Sequence, residues 1–125
     1  TPLLFAGTML LNSGCWLVVV GAAPGAGAVT VAYVNGDLKA TYGYNYDEVV
    51  AATKKSISDL GFAQPEEQKD AISDTFHTHN GQGDSVKIVV TRSGDKSTDV
   101  DIRIGTFGDE QLSMEINDKI KSNLP

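Results

Sequence analysis

The first 36 residues carry no charged side chain, and this feature constrains the chain more than any other. All 16 acidic and all 10 basic residues follow from Asp37 onward, so an uncharged segment precedes a region that holds the whole net charge of −6. The 125 residues are enough for one domain of ordinary size. An acidic domain with dispersed lysines repels phosphate backbones, so we predict no nucleic-acid partner.

The start of the uncharged segment has the features of a bacterial lipoprotein signal. Residues 2–11 form an apolar run with the length of a secretory signal core, and Ser13 and Gly14 follow directly before Cys15, the single cysteine. Such a signal needs an apolar run, then small side chains that fit a peptidase, then the thiol that receives the lipid. We therefore predict a signal-like segment at residues 1–14 and lipid attachment at Cys15. A buried, purely structural thiol is the alternative.

The same segment also fits a membrane-spanning helix. Residues 3–23 are uncharged and long enough to cross a hydrocarbon core of about 30 Å, and Pro24 would end or kink the helix. Gly21 and Gly25 have the spacing that lets two membrane helices approach closely. The other explanation of these glycines is a flexible Gly/Ala-rich linker at residues 15–28.

The charged region begins with the patterns of a β-hairpin and a helix. Apolar residues alternate over residues 29–42 around Asn35-Gly36, the pair most typical of a type I′ turn. Asn45 and Glu48 then form a capping-box pair, and Gly61 supplies a helix stop. The apolar face of this helix is predicted to contain Val49, Val50, Thr53, Ile57 and Leu60.

Three strands and a second helix are predicted next. Apolar and polar residues alternate over residues 71–79, 86–90 and 99–104, with Ile72 and Phe76 expected to share a face. Residues 62–69 are expected to form a loop or a short edge strand. The last helix, residues 109–123, is expected to bury a stripe of Leu112, Ile116, Ile120 and Leu124.

This order of strand, strand, helix, three strands, helix predicts an α+β fold. Short turns make neighbouring strands antiparallel, and each strand has one apolar face that needs cover. We therefore expect a two-layer sandwich over residues 29–125, with about five antiparallel strands covered on one face by two helices.

No catalytic constellation stands out, so we predict a protein without enzymatic activity or a cofactor. His77 and His79 would share one face of a strand and could bind a transition metal, with Asp74 or Asp84 nearby. Two imidazoles alone bind weakly, and we expect a solvated strand end instead of a metal site. The Gly-flanked stretch at residues 105–108 is expected to be a structural turn and not an anion cradle.

Several blocks of the sequence carry a family resemblance. They are Gly25-Ala-Gly27 leading into Val31-Ala-Tyr33-Val-Asn-Gly36-Asp-Leu38-Lys-Ala40, then Val49…Ala52-Thr53 with Asp59-Leu60-Gly61, and Ile102-Arg103-Ile104-Gly105-Thr-Phe-Gly108-Asp109-Glu110…Leu112-Ser113. Through these blocks the chain resembles a family of small bacterial lipoproteins that is catalogued only as a domain of unknown function. The resemblance runs from Cys15 to Leu124, and its last block is the most specific. It implies an exported lipoprotein and brings no known activity or site.

Sequence and resemblance together predict a lipoprotein of the bacterial cell envelope. Its domain would face the periplasm or the exterior and would bind an unknown protein partner or support the envelope. The alternative is a self-assembling subunit, in a membrane or a filament, whose uncleaved apolar N-terminal segment packs with copies of itself.

Overall fold

The computed structural model describes the backbone of Leu17–Val20 and all atoms of residues 29–125. In this part of the chain the elements are, in order, β1 (Leu17–Val20), β2 (Val29–Val34), β3 (Asp37–Tyr42), α1 (Tyr46–Asp59), β4 (Glu66–Lys69), β5 (Ser73–His79), β6 (Ser85–Gly94), β7 (Ser97–Ile104) and α2 (Glu110–Ser122). The strands form one antiparallel sheet in the order β1-β2-β3-β7-β6-β5-β4. The predicted α+β fold is confirmed.

The β2–β3 hairpin forms as its turn sequence predicts. Asn35 and Gly36 both have positive φ angles, 53° and 89°, as a type I′ turn requires. The register pairs Val29 with Tyr42 and Tyr33 with Leu38, so the alternating apolar side chains of both strands lie on one face of the sheet.

The caps of α1 are also those that the sequence predicts. The Asn45 side chain accepts a hydrogen bond from the backbone N–H of Glu48 at 2.8 Å, and the Glu48 side chain accepts one from Asn45 at 3.4 Å. At the other end Gly61 takes a φ of 76°, and the N–H of Phe62 donates to the carbonyl of Ile57 at 3.2 Å. This pattern satisfies the last carbonyl groups of the helix.

The core lies between one face of the sheet and the two helices. Burying a large apolar side chain stabilises a fold by about 1.5–3 kcal/mol, so this layer dominates stability. Ile116 and Ile120 of α2 are fully buried, as predicted, whereas Leu112 and Leu124 are only partly buried. The largest side chains of the core are Tyr42, Phe76, Leu38, Ile88, Ile102, Ile116 and Ile120.

Strand β1 lies where the sequence indicated either a linker or a membrane helix. Leu17–Val20 pair with β2 from Leu17↔Ala32 to Val20↔Val29, so these four residues belong to the sheet and not to a helix. A short apolar run inside an uncharged segment does not distinguish a buried strand from a helix by its pattern alone. Of the loop and the short edge strand that the sequence left open for residues 62–69, the structure has the strand, β4, which is the last of the described sheet on its side.

The predicted position of Ile72 is wrong. Its side chain is 56% exposed, whereas Phe76 is fully buried. The N–H of Asp70 donates to the carbonyl of Ser73 at 2.7 Å, and this tight bend takes Ile72 out of the strand, which begins at Ser73.

Neither of the two helices described is long and apolar enough to span a bilayer.

Candidate functional site

Arg103 joins the β2–β3 turn to the loop between β7 and α2. Its Nη1 donates to the carbonyl oxygen of Asn35 at 3.0 Å and to Oδ1 of Asp37 at 2.9 Å. Its Nη2 donates to the carbonyl oxygen of Thr106. The planar guanidinium thus holds two loops with one side chain. We call this region, formed by residues 35–37, Arg103 and residues 105–109, the clamped end.

Two glycines allow the loops of the clamped end to touch. Gly108 has a φ of +84°, and a Cβ built on it would lie 2.5 Å from Cα of Gly36 and 2.6 Å from Oη of Tyr33. A Cβ on Gly36 would lie 2.8 Å from the carbonyl oxygen of Phe107. Both positions therefore require glycine for conformation and for space.

Two acidic residues at the start of α2 lie close to the clamped end. The Asp109 side chain caps α2 by accepting from the N–H of Leu112 at 3.0 Å. Partial burial raises the pKa of Tyr33, and the negative charges of Glu110 and Asp109 raise it further. Residues 105–108 form the turn that connects β7 to α2.

Phe107 projects from the clamped end into solvent. Its side chain is 90% exposed, and Ile72 is the other large hydrophobic residue that is exposed in the described part of the chain. Because the loop around Phe107 is fixed by Arg103 and by the two close glycines, the ring is presented by a rigid support. A large apolar side chain on a rigid loop can bind an apolar surface with little loss of conformational entropy.

The open face of the sheet forms a shallow groove of about 660 Å³. Outward-facing acidic and basic side chains pair across its strands, as in the 2.7 Å ion pair between Lys39 and Asp101. Thr41 donates to Asp99 at 3.0 Å in the same way. Lys39 and Asp101 neutralise each other and the Thr41 hydroxyl satisfies an oxygen of Asp99, so the groove has the character of a solvated sheet surface.

A buried carboxyl group, Asp74, lies beside the exposed Glu67 near the opposite edge of the sheet. Asp74 is fully buried on the core face of β5, and neither carboxyl oxygen has a hydrogen-bond partner among the described residues. Burial, and then the neighbouring Glu67, raise the pKa of Asp74 to about 6. Interaction with Asp74 lowers the pKa of Glu67, which lies 3.5 Å from Nζ of Lys54 and 3.9 Å from Nζ of Lys69. When Asp74 is protonated it can donate to Glu67, so the two carboxyl groups can share one proton.

The family model described as "Protein of unknown function (DUF3568)" matches residues 1–123. The chain belongs to this family. The match includes the uncharged N-terminal segment, which is therefore part of the DUF3568 unit and not an addition to it. The family description assigns no activity, and none of the curated proteins matches the sequence.

The two histidines of the DUF3568 chain lie on one face of β5, as predicted. His77 is half-buried and His79 is exposed, but Asp74 points to the opposite, core face, so it cannot join them as a ligand. Asp84 is also engaged elsewhere, because it accepts a hydrogen bond from Nδ2 of Asn80 at 3.0 Å. Within residues 29–125 no group of three His, Cys, Asp or Glu side chains is arranged to hold a metal ion.

Cys15, Gly21 and Gly25 lie outside the described residues, so lipid attachment and helix packing stay predictions. Sequence analysis named Asp74 only as a possible neighbour of the two histidines, and Arg103 and Phe107 only within the block that carries the family resemblance. Phe107 could have been noticed as an aromatic residue in a turn that belongs to neither flanking apolar pattern. Asp74 could have been noticed because it shares the alternation of buried Phe76.

Proposed function

We propose that this DUF3568 protein is a non-enzymatic lipoprotein of the bacterial cell envelope that is tethered through a lipid on Cys15. Its domain would act there as a partner-binding or structural module that faces the periplasm or the exterior. The observation that carries this proposal is the order of features in the first 20 residues. An apolar run ends in Ser13-Gly14-Cys15, and a strand of the folded domain begins at Leu17.

The alternative is a self-assembling subunit, and the position of β1 favours one form of it. Among the strands described, β1 is the last of the sheet on its side, with the apolar sequence Leu-Val-Val-Val. Apolar edge strands can pair with a second copy of the same chain. By contrast, β4 at the other edge contains Glu66, Glu67 and Lys69, and charged side chains disfavour such pairing.

The lipoprotein proposal is tested by metabolic labelling with radioactive palmitate and by intact mass analysis. We expect the parent protein from its native host to begin at an acylated Cys15 and to carry label. The Cys15→Ser variant should keep its upstream segment and carry no label, because it lacks the acceptor thiol.

A matched control keeps one thiol in the chain but moves it away from the apolar run. The variant Cys15→Ser/Asp95→Cys places the thiol in the exposed β6–β7 turn, and we expect it to remain unlabelled. If parent and Cys15→Ser proteins differ in mass only by the substitution and neither is labelled, the lipoprotein proposal is wrong. Concentration-dependent assembly of the unlabelled parent would then support the self-assembling alternative.

A further inference from the structure

The strand register places the start of β1 at the clamped end of the domain. Leu17 pairs with Ala32, two residues before β2 ends, and the turn at residues 35–36 follows directly. Cys15 precedes Leu17 by two residues, which span at most about 7 Å. The strand that follows the proposed lipid position therefore begins at the end of the sheet that also presents Phe107.

The lateral distance between strand β1 and the loop that carries Phe107 is small. In the sheet order β1-β2-β3-β7, three strand spacings separate β1 from the strand that leads into the Phe107 loop. At about 4.8 Å per spacing, this is about 14 Å, which corresponds to the width of a few lipids. A lipid attached at Cys15 would bring the Phe107 ring to the same bilayer surface.

We propose that the clamped end lies on the bilayer, with the Phe107 side chain inserted among the lipids beside the lipid on Cys15. This inference rests on the proposed lipoprotein function and goes beyond it by assigning an orientation to the domain. The lipid supplies the affinity for the membrane, and the tether gives Phe107 a high local concentration of bilayer. A second point of contact then prevents the domain from rotating freely about its anchor.

The charge of the clamped end indicates that this contact is apolar. Asp37 and Asp109 outnumber Arg103, Glu110 follows directly, and Arg103 is already paired with Asp37 at 2.9 Å. Such a surface is not attracted to anionic headgroups, so the occupant we infer is an electrically neutral phosphatidylcholine-like surface. Trp16, next to Cys15, is of the residue type enriched at membrane interfaces.

The test uses the full chain with a maleimide phospholipid coupled to Cys15, its single cysteine, in phosphatidylcholine nanodiscs that contain a gadolinium-chelating lipid. Paramagnetic relaxation of backbone amides is measured by NMR. We expect the amides of residues 105–108 to relax several-fold faster than those of the β6–β7 turn, which lies at the opposite end of the sheet. The pattern should persist in about 1 M salt, because an apolar contact is not screened.

Ile72 supplies the matched control, since it is also exposed but lies beside Ser73 at the opposite end of the sheet. We expect Phe107→Ser to reduce the difference between the two ends to the part that the tether at Cys15 alone produces, and Ile72→Ser to leave the difference unchanged. Equal relaxation at both ends in the parent, or an unchanged pattern in Phe107→Ser, would overturn the proposal. If the NMR signals of residues 105–108 change when a lipid-free envelope protein is added but not when nanodiscs are added, Phe107 binds a protein partner. That result would also overturn the proposal.

Because the lipid is attached chemically, this result does not depend on whether the cell acylates Cys15. Failure of the palmitate experiment alone would remove the lipoprotein function and its membrane orientation in the cell. Failure of the relaxation experiment alone would leave a lipoprotein whose domain does not rest on the clamped end.

Discussion

At the scale of single residues, the clamped end depends on two kinds of side chain that act differently. Gly36 and Gly108 act through the absence of a Cβ, which lets two backbones meet. Arg103 acts through its three donated hydrogen bonds to Asn35, Asp37 and Thr106. The first effect is steric and the second is electrostatic, so substitutions can separate them.

The close contact at Gly108 is tested by comparing Gly108→Ala with Gly83→Ala. Both glycines have φ near +85°, at +84° and +88°, but a Cβ on Gly83 would meet no atom within 4 Å. Gly83→Ala should destabilise the fold by about 1 kcal/mol through backbone strain alone, and Gly108→Ala by about 3 kcal/mol or more. Chemical denaturation measures both values. Equal losses would show that the two loops do not need their close contact.

The geometry of the Arg103 contacts is tested by Arg103→Lys. An ammonium group keeps the charge but cannot reach all three acceptors, so we expect a loss of about 1–3 kcal/mol in the free energy of unfolding. The control is Lys39→Gln, which removes the solvent-exposed pair with Asp101 and should change stability by at most about 0.5 kcal/mol. A loss in Arg103→Lys no larger than in the control would contradict a structural role for the guanidinium.

At the scale of elements, the main addition to the sequence prediction is β1. Its pairing moves the N-terminal border of the sheet from residue 29 to Leu17, and the proposed anchor comes within two residues of the sheet. If Cys15 bears a lipid, little chain remains between membrane and domain. Of the linker predicted at residues 15–28, Leu17–Val20 belong to the sheet.

The pairing of β1 is tested by the double variant Val18→Pro/Val19→Pro. Proline removes backbone donors and is not compatible with a paired strand interior, so the β2 amides that face β1 should lose protection from hydrogen exchange. The reciprocal variant Glu66→Pro/Gln68→Pro should expose β5 amides and leave β2 protected. If the hydrogen exchange of every β2 amide is unchanged in the Val18→Pro/Val19→Pro variant, residues 17–20 do not pair with β2.

Elements with local signals could be predicted from the sequence, whereas contacts set by strand order could not. The Asn35-Gly36 turn and the caps at Asn45 and Gly61 depend on residues within a few positions of each other. Arg103 meets Asp37 only because β3 pairs with β7 in one register. The same reason hid the clamped end and the pairing of Asp74 with Glu67, since each needs a non-local neighbour.

At the scale of the whole molecule, the carboxyl pair couples stability to pH. The charged or titratable groups that interact with Asp74 are Tyr46 and Lys54 of α1 and Glu67 and Lys69 of β4. Because the pKa of Asp74 is raised from 3.8 to about 6, the folded state holds this proton more tightly than the unfolded state. The contribution of Asp74 to the free energy of unfolding therefore falls as the pH rises from about 4 to about 6.

The lowered pKa of Glu67 has the opposite effect, but below its ordinary value of 4.5. We expect Asp74→Asn, which cannot ionise, to be more stable than the parent at pH 7 by about 1–2 kcal/mol and equal to it near pH 4. The control Asp95→Asn, in an exposed turn, should follow the parent curve at every pH. Parallel stability curves for parent and Asp74→Asn would contradict the raised pKa.

The strand order has a consequence for how the chain folds. Strands β1–β3 form one meander of sequential neighbours, and strands β4–β7 form another. The two meanders are joined by the long-range pairing of β3 with β7, which we call the closure. Thr41 and Asp99, which pair there, are 58 positions apart. Closing such a loop precedes any stabilisation from the contacts it brings together, and this step is expected to set the folding barrier.

Chevron analysis can locate that barrier. Val100→Ala trims a contact at the β3–β7 closure and should slow folding, whereas Phe76→Leu, within the β4–β7 meander, should mainly accelerate unfolding. If Phe76→Leu slows folding and Val100→Ala mainly accelerates unfolding, the folding nucleus lies in the β4–β7 meander. If the closure is the slow step and Cys15 is anchored as proposed, the first three strands will be held at the membrane before the last four join them. Nascent molecules will then pass through an intermediate with an unpaired β3 edge.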